Sequence, residues 1–555
     1  MSTGRGEALE MSPRLVAAGL LVCLAAAATL LTKQIYFSRI ATRDACGYYL
    51  PLAKAAAQGR AAQHPIIPPL YPLAMGRVSA LLSFAEDPQE LAGRLISAVS
   101  VLLLVVCSFA IGKRLFHPRV GLAAAMLTAC NPWIIRFGGN VGPAMMYAVL
   151  VMLTVLLIIE YGRRGSIVLA VLAGLSSALA AMTRSEGIFL PPLAAIFVLI
   201  GSRAKRRPVR PAAMHAAALL LTVAVVWTPR LLAVRAMTGV ALLDVRAISL
   251  IPWADLQTDP AWSRMPMQVA PTIRLAPPSA AAITLRDVVS ICHESLFMVI
   301  GPLTWGFGII WFLRRKNLPR RSLGQLIIAS VIIAEICIVI PVKLDRRYIA
   351  SVAGLAQIWG ALGMVVLAER LRYKRGWPGW LGRSIGLQLA AMAVAMVSLI
   401  LWSIFGTNVG TRHHDLRQLG QEARQRYGRG RILLATSPEP AYYARGRLVT
   451  VRDIRGHATG LTVHQLRDLC RRHDVDLIVI RSRERWCPWL LESIDGGDLP
   501  PGSIVATATS GRKGGRASRR ITSYLIDAAV LFPGLDARRA GPLKSTAGES
   551  AARPL

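Results

Sequence analysis

The chain is 555 residues long, 54% apolar and 17% charged, with a formal net charge of +35 at pH 7. Its charged share falls below the usual quarter or so, and its apolar runs approach the roughly 20 residues that cross hydrocarbon, so a soluble globular chain is excluded. The basic excess sits in short loops beside those runs, where topology and anionic headgroups account for it and nucleic acid is not needed.

Arg5 and Arg14 precede the first apolar run, Leu15 to Thr32, and no A-x-A cleavage site follows, so this reads as a retained first span. Further spans are expected near 92–111, 119–135, 144–160, 166–182, 187–202, 212–235, 296–313, 323–341, 348–368 and 384–405. The stretch 70–84 (LYPLAMGRVSALLSF) is apolar but short, and charge decides its place. If it does not span, the dense basic loops at 113–119, 163–164, 203–210, 314–321 and 370–383 all fall on the cytoplasmic side, as the positive-inside rule requires. It is therefore expected to lie at the outer interface, as an amphipathic, re-entrant or juxtamembrane helix.

This threading leaves outer loops at 33–91 and 236–295 and an outward-facing tail from 406. In the tail, RILLA (431–435), RLVTV (447–451), VDLIVI (475–480) and ITSYLIDAAV (521–530) read as strands. Thr462 caps a helical pattern with Val463, Leu466, Leu469 and Cys470 on one face. The organisation is thus a membrane domain over 1–405, an α/β domain over 406–535 and a disordered tail over 536–555. No C-x-x-C pair occurs among the eight cysteines, which argues against a zinc site or a disulfide framework.

Four features could carry chemistry. Asp44, in RDACGYY just after the first span, can take a proton from a hydroxyl or hold a divalent cation; its plainer role is an ion pair with Arg43 or a helix cap. HPIIPPLYP (64–72) fixes a rigid path, with His64 able to bond a phosphate or a sugar, or simply to sit exposed in a turn. TRSEG (183–187) places Arg184 and Glu186 at a span end, as a functional pair or as one closing a hairpin. KLDRRY (343–348) puts Lys343, Arg346 and Arg347 at an outer span end, suited to a lipid phosphate or to snorkelling towards headgroups.

Taken in order, RDxxxYY, HPIIPPLYP, AGRLISAVS, KRLFHPRVGLAAAMLTACNP, TRSEG, RRY and a tail bearing Tyr442 and Tyr443 resemble the GT-C superfamily of membrane glycosyltransferases. The branch is that of protein mannosyltransferases and bacterial aminoarabinose transferases (glycosyltransferase family 39-like), and the likeness runs over roughly residues 15–480. It implies a polytopic α-helical fold of about 11–13 spans with a small C-terminal extracytoplasmic α/β domain, in the inner membrane. It implies inverting transfer from a polyprenyl-phosphate-linked sugar to an acceptor hydroxyl on protein, lipid or glycan. Asp44 then matches the family's first-loop acid. Lys343, Arg346, Arg347 and Arg43 are the candidates for the donor phosphate, with Tyr48, His64, Arg184 and Glu186 as candidate substrate contacts. A divalent cation, Mg or Mn, would fall to Asp44 and Asn140. The chain departs from the pattern there: RFGGNVGPAMMY (136–147) has Asn140 and Ala144 where a second acid is usual. Two other functions remain compatible with this sequence, a transporter or flippase, for which Glu335 is the clear mid-span acid, and an inactive relative that binds lipid-linked sugar.

Overall fold

The computed structural model describes residues 11–37, 41–42, 44–60, 62–64, 67–204, 208–238, 322–339, 350–372, 414–450, 461–482, 487–510 and 521–533, with single positions at 300, 304, 306, 308, 309 and 397. Arg43, most of loop 236–295 and of spans 296–313 and 384–405, the run holding Lys343, Arg346 and Arg347, and the tail 536–555 lie outside these residues. The chain divides into two compact units. One joins Met1–Phe37, Leu52–Gln257 and Ala276–Asn408, and the other joins Ser38–Pro51, Thr258–Leu275 and Val409–Leu555.

The first unit is helical. In order come α1 (Pro13–Phe37), α2 (Leu50–Ala57, whose first two residues belong to the second unit), α3 (Leu70–Leu81), α4 (Pro88–Leu115), α5 (Pro118–Ala129) and α6 (Pro132–Gly138). They are followed by α7 (Ala144–Arg164), α8 (Ile167–Thr183), a 3-10 turn (Ser185–Phe189), α9 (Leu190–Ala204), α10 (Val209–Thr238), α11 (Ser322–Val339) and α12 (Ala350–Arg372). Among the described residues five helices are long and apolar enough to cross a membrane by themselves, so the chain is an integral membrane protein. The stretch 70–84 forms a helix of only 12 residues, about 18 Å long and too short to span.

The expected straight span at 119–135 is instead two helices bent by 60°. Pro132 lacks the N–H that would continue α5 and disfavours helix at the residue before it. Asn131 supplies the new start, its Oδ1 accepting from the N–H groups of Trp133 and Ile134 at 3.0 and 3.1 Å. The α4–α5 hairpin closes where glycines face each other: a Cβ on Gly112 would stand 2.9 Å from the Gly121 Cα.

The ends of α4, α7 and α9 meet at one end of this unit. Glu160 pairs with Arg114 from the end of α4 (2.7 Å) and with Arg163 and Arg164 from the end of its own helix (3.6 and 3.4 Å). Tyr161 bonds both Ser202, at the end of α9, and His215, early in α10, at 3.2 and 3.0 Å. The loops after α4, α7 and α9 therefore share an end, as the charge pattern requires.

The second unit is an α/β/α sandwich: α13 (His414–Tyr427), β1 (Ile432–Ala435), α14 (Glu439–Tyr443), β2 (Arg447–Thr450), α15 (Val463–His473), β3 (Leu477–Arg481), α16 (Pro488–Gly496), β4 (Ile504–Ser510), β5 (Ile521–Asp527) and α17 (Ala528–Leu531). The sheet order is β2-β1-β3-β5-β4, with β2, β1 and β3 parallel and the last two strands antiparallel. Strand residues alternate between two cores. Leu433, Leu477, Val479 and Leu525 face α13 and α14, while Leu434, Ile478, Ile480 and Ile526 face α15 and α16. Thr462 and Gln465 form a full capping box on α15.

Asp415 ties α13 to the sheet. It is wholly buried, pairs with Arg481 at 3.0 Å and accepts from the Ser523 hydroxyl. Removing it leaves a guanidinium in a largely desolvated place. Asp415→Ala is expected to cost about 3–5 kcal/mol, read as an earlier denaturant midpoint for the α/β unit in the full-length protein; an unchanged midpoint would show that the pair contributes nothing.

Candidate functional site

Two groups of predicted residues fall in different units. Asp44 opens a π-helical turn (Ala45–Tyr49) in the second unit. Its side chain does not cap that turn; the Ala45 N–H is taken by the Thr42 hydroxyl and the Cys46 N–H by the Thr42 carbonyl. Asp44 and Tyr48 are half-buried, and Ala45 and Cys46 are buried.

His64, Asn140, Arg184 and Glu186 belong to the helical unit. Ahead of α3, the His64 Nδ1 accepts the Ile67 N–H at 3.1 Å. The ring is buried, 3% exposed, where an exposed turn residue was one expectation. Burial, reinforced by the positive charge of Arg230, pushes its pKa from 6.5 down to about 4. A neutral imidazole of this kind brings no positive charge to a phosphate.

Arg184 and Glu186 are both buried and bond each other, Nε to Oε2 at 3.2 Å and Nη2 to Oε1 at 3.3 Å. The guanidinium also lies 5.8 Å from the Tyr147 ring centre. Tyr147 in turn donates to Glu335 at 2.9 Å, and Ser351 donates to the same carboxylate at 2.7 Å. The mid-span acid is thus held by two hydroxyls from neighbouring helices, and the TRSEG pair closes the α8–α9 junction.

The proline stretch and the TRSEG turn border a small hollow of about 10 Å³, lined by Pro68, Pro69, Met182, Ser185, Trp227 and Arg230 among others. The Ser185 hydroxyl is buried and finds no hydrogen-bond partner among the described residues. HPIIPPLYP and TRSEG, 111 residues apart at their Pro72 and Thr183 ends, therefore come together on one polar-edged hollow. The charged residue that sequence reasoning missed here is Arg230, which is 5% exposed. Its signal was present: an arginine inside the apolar run VAVVWTPRLLAV is a functional candidate by default.

Two further hubs fix the same end. The Tyr71 hydroxyl sits 2.9 Å from the Gly93 carbonyl and 3.0 Å from Ser97 Oγ, and accepts the Gly142 N–H at 2.8 Å. Arg94 pairs with Glu90 at 2.6 Å and donates to the carbonyls of Ile35 and Gly139. The loop holding Asn140 is bound on both sides in this way. No three His, Cys, Asp or Glu side chains gather where they could hold a cation among the described residues.

The fold is similar to those of solved membrane proteins in the group that the ordered motifs resemble. Residues 64–230 match the family model of dolichyl-phosphate-mannose-protein mannosyltransferases. Among solved structures the chain is similar to ArnT from Cupriavidus metallidurans bound to undecaprenyl phosphate, with 14% identity, 94% of this chain and 100% of that chain covered, and a TM-score of 0.56. It is also similar to the Archaeoglobus fulgidus oligosaccharyltransferase tethered with an acceptor peptide, with 12% identity, 85% and 69% covered, and a TM-score of 0.58. No curated protein sequence gives a significant match.

Two outcomes test the geometry. Glu186→Ala strands the buried Arg184 and is expected to lower the melting temperature in detergent more than the double change Arg184→Ala/Glu186→Ala, since an unpaired buried charge costs more than an absent pair; the opposite ranking would break the argument. For His64, a folded pKa below the unfolded one means that the unfolded chain binds the extra proton. Its contribution is complete above about pH 6.5 and declines as pH falls towards 4. The melting temperature of wild type should therefore drop more steeply than that of His64→Gln between those values, and parallel curves would count against it.

Proposed function

We propose that this protein is a membrane glycosyltransferase that moves a sugar from a polyprenyl-phosphate carrier to an acceptor hydroxyl, on the face opposite its basic loops. One observation carries the reading: the stretch 64–230 that matches a mannosyltransferase family model also holds HPIIPPLYP, TRSEG and Arg230, whose residues line one cavity. The cluster of arginines around Glu160 supports a cytosolic place for that end by the positive-inside rule, and the charge pattern of the sequence supports an outward-facing Asp44 and tail. ArnT is described bound to undecaprenyl phosphate, and a lipid monophosphate is the leaving group this chemistry needs.

Asp44 acts as the base. It takes the acceptor hydroxyl proton as that oxygen bonds the anomeric carbon from the side away from the carrier, and the bond from that carbon to the phosphate oxygen breaks with inversion. The departing phosphate gains negative charge, which cations stabilise. Lys343, Arg346, Arg347 and Arg43 offer that charge by their place in the sequence, and Arg230 by its place on the cavity wall. Tyr48, Arg184 and Glu186 are the further substrate-side candidates, the last two through the cavity floor that their turn forms.

The test gives purified protein radiolabelled undecaprenyl-phosphate mannose or aminoarabinose with a panel of peptide, lipid and glycan acceptors. Asp44→Asn is expected to lose about 10²–10⁴-fold in rate while still retaining donor on the protein. Equal transfer by both proteins would remove Asp44 from the chemistry.

A further inference from the structure

The Tyr442–Tyr443 pair takes no part in the reaction above, yet one of its hydroxyls reaches the segment that bears the acid. Tyr443 stands at the end of α14, buried to 4% exposure. Tyr442 meets its ring edge-on at 5.1 Å, and the Arg417 guanidinium lies 4.8 Å from the ring centre. From this fixed position its hydroxyl accepts the backbone N–H of Ala41 at 2.9 Å, across 402 residues of sequence. Ala41 is 1% exposed and lies three residues before Asp44. The same helix meets the segment again, since a Cβ on Gly47 would stand 3.5 Å from the Pro438 side chain.

The place of this contact in the sheet is telling. In open α/β sheets, ligands lie beyond the carboxyl ends of parallel strands, where neighbouring connections leave for opposite faces. Here that point falls between β1 and β3. The chain leaves β1 into α14 on one face, where Ala441 joins Leu433, and leaves β3 into α16 on the other, where Leu490 joins Ile480. Pro438, just past the end of β1, lies beside residue 47 of the chain's own first loop, close enough that a Cβ there would meet it at ordinary contact distance. The edge where a related sheet would hold a small molecule here holds the acid-bearing segment.

We propose that Tyr443 is a positioning residue for Asp44, and that the α/β unit uses its strand-end crevice to set where that carboxylate stands. The inference rests on the reading of Asp44 as the acting group. Between Ala41 and Gly47 the Thr42 hydroxyl and carbonyl take the N–H groups of Ala45 and Cys46. Loss of the Tyr443 contact loosens the backbone that leads to Asp44 while leaving the sheet and its two cores intact.

The test compares wild type, Tyr443→Phe, Gly47→Val, Asp44→Asn and the double Tyr443→Phe/Asp44→Asn, each as the full chain in nanodiscs. Tyr443→Phe keeps the ring and its packing and removes only the acceptor oxygen. Gly47→Val pushes on the same contact from the other side. Amide exchange over residues 38–51 should speed up about tenfold in both, with peptides from β1 and β3 unchanged. With undecaprenyl-phosphate mannose or aminoarabinose as donor, kcat should fall about tenfold at a donor KM within about twofold of wild type, as for a group misplaced only in the transition state. The double variant should be no slower than Asp44→Asn alone. Unchanged exchange over 38–51, or full kcat in Tyr443→Phe beside an inactive Asp44→Asn, overturns the positioning role alone. Full activity in Asp44→Asn overturns the reading of the acid, and the positioning role falls with it.

Discussion

Away from water, a buried charged side chain is costly unless it meets a partner inside the protein. The buried pairs obey this rule closely. Arg94 is matched by Glu90 and two carbonyls, Arg184 by Glu186, and Glu335 by the hydroxyls of Tyr147 and Ser351. Each match joins separate helices or closes a junction, so the satisfied polar groups become the joints of the bundle. Apolar packing fills the space between the joints but does not choose among neighbouring registers. The polar pairs do, because a shifted helix would bury them unsatisfied.

The bundle uses charge in two ways. Around Glu160 the arginines are largely solvent-facing, and a single carboxylate serves three of them. Such pairs add little stability. The Arg94–Glu90 and Arg184–Glu186 pairs are buried instead, and Ser185, between Arg184 and Glu186, lines the hollow beside Arg230. Chemistry that needs fixed geometry and low dielectric belongs beside buried pairs of this kind.

Much of this was legible in the sequence where a local rule has one physical cause. Thr462 with Gln465 announced the start of a helix, and four of the five strands stood out as apolar runs between turns. The fifth, IVATATS, was missed because its alternation is of small and β-branched residues and its mean apolarity is low. The bend at Asn131–Pro132 was missed because hydropathy ignores the backbone, although an Asn-Pro pair inside a span states the break plainly. Burial of His64 was invisible, since only the packing of α10 against the proline turn brings Arg230 near it. The grouping of Asp44 with residues beyond 409 could not be read at all: a bond over 402 residues leaves no periodicity in either partner.

The helix α4 has 28 residues, about 42 Å at a rise of about 1.5 Å each. That exceeds an average hydrocarbon layer by about 12 Å. Such an excess is accommodated by tilt or by leaving its first two turns, with Glu90 and Arg94, in the headgroup layer. Because those turns are bolted to the ends of α1 and α6 through the Ile35 and Gly139 carbonyls, bilayer thickness acts on the mouth of the bundle as a lever. Thinner lipid would rock this helix and carry the attached loops with it, making the surrounding membrane a mechanical setting of the protein.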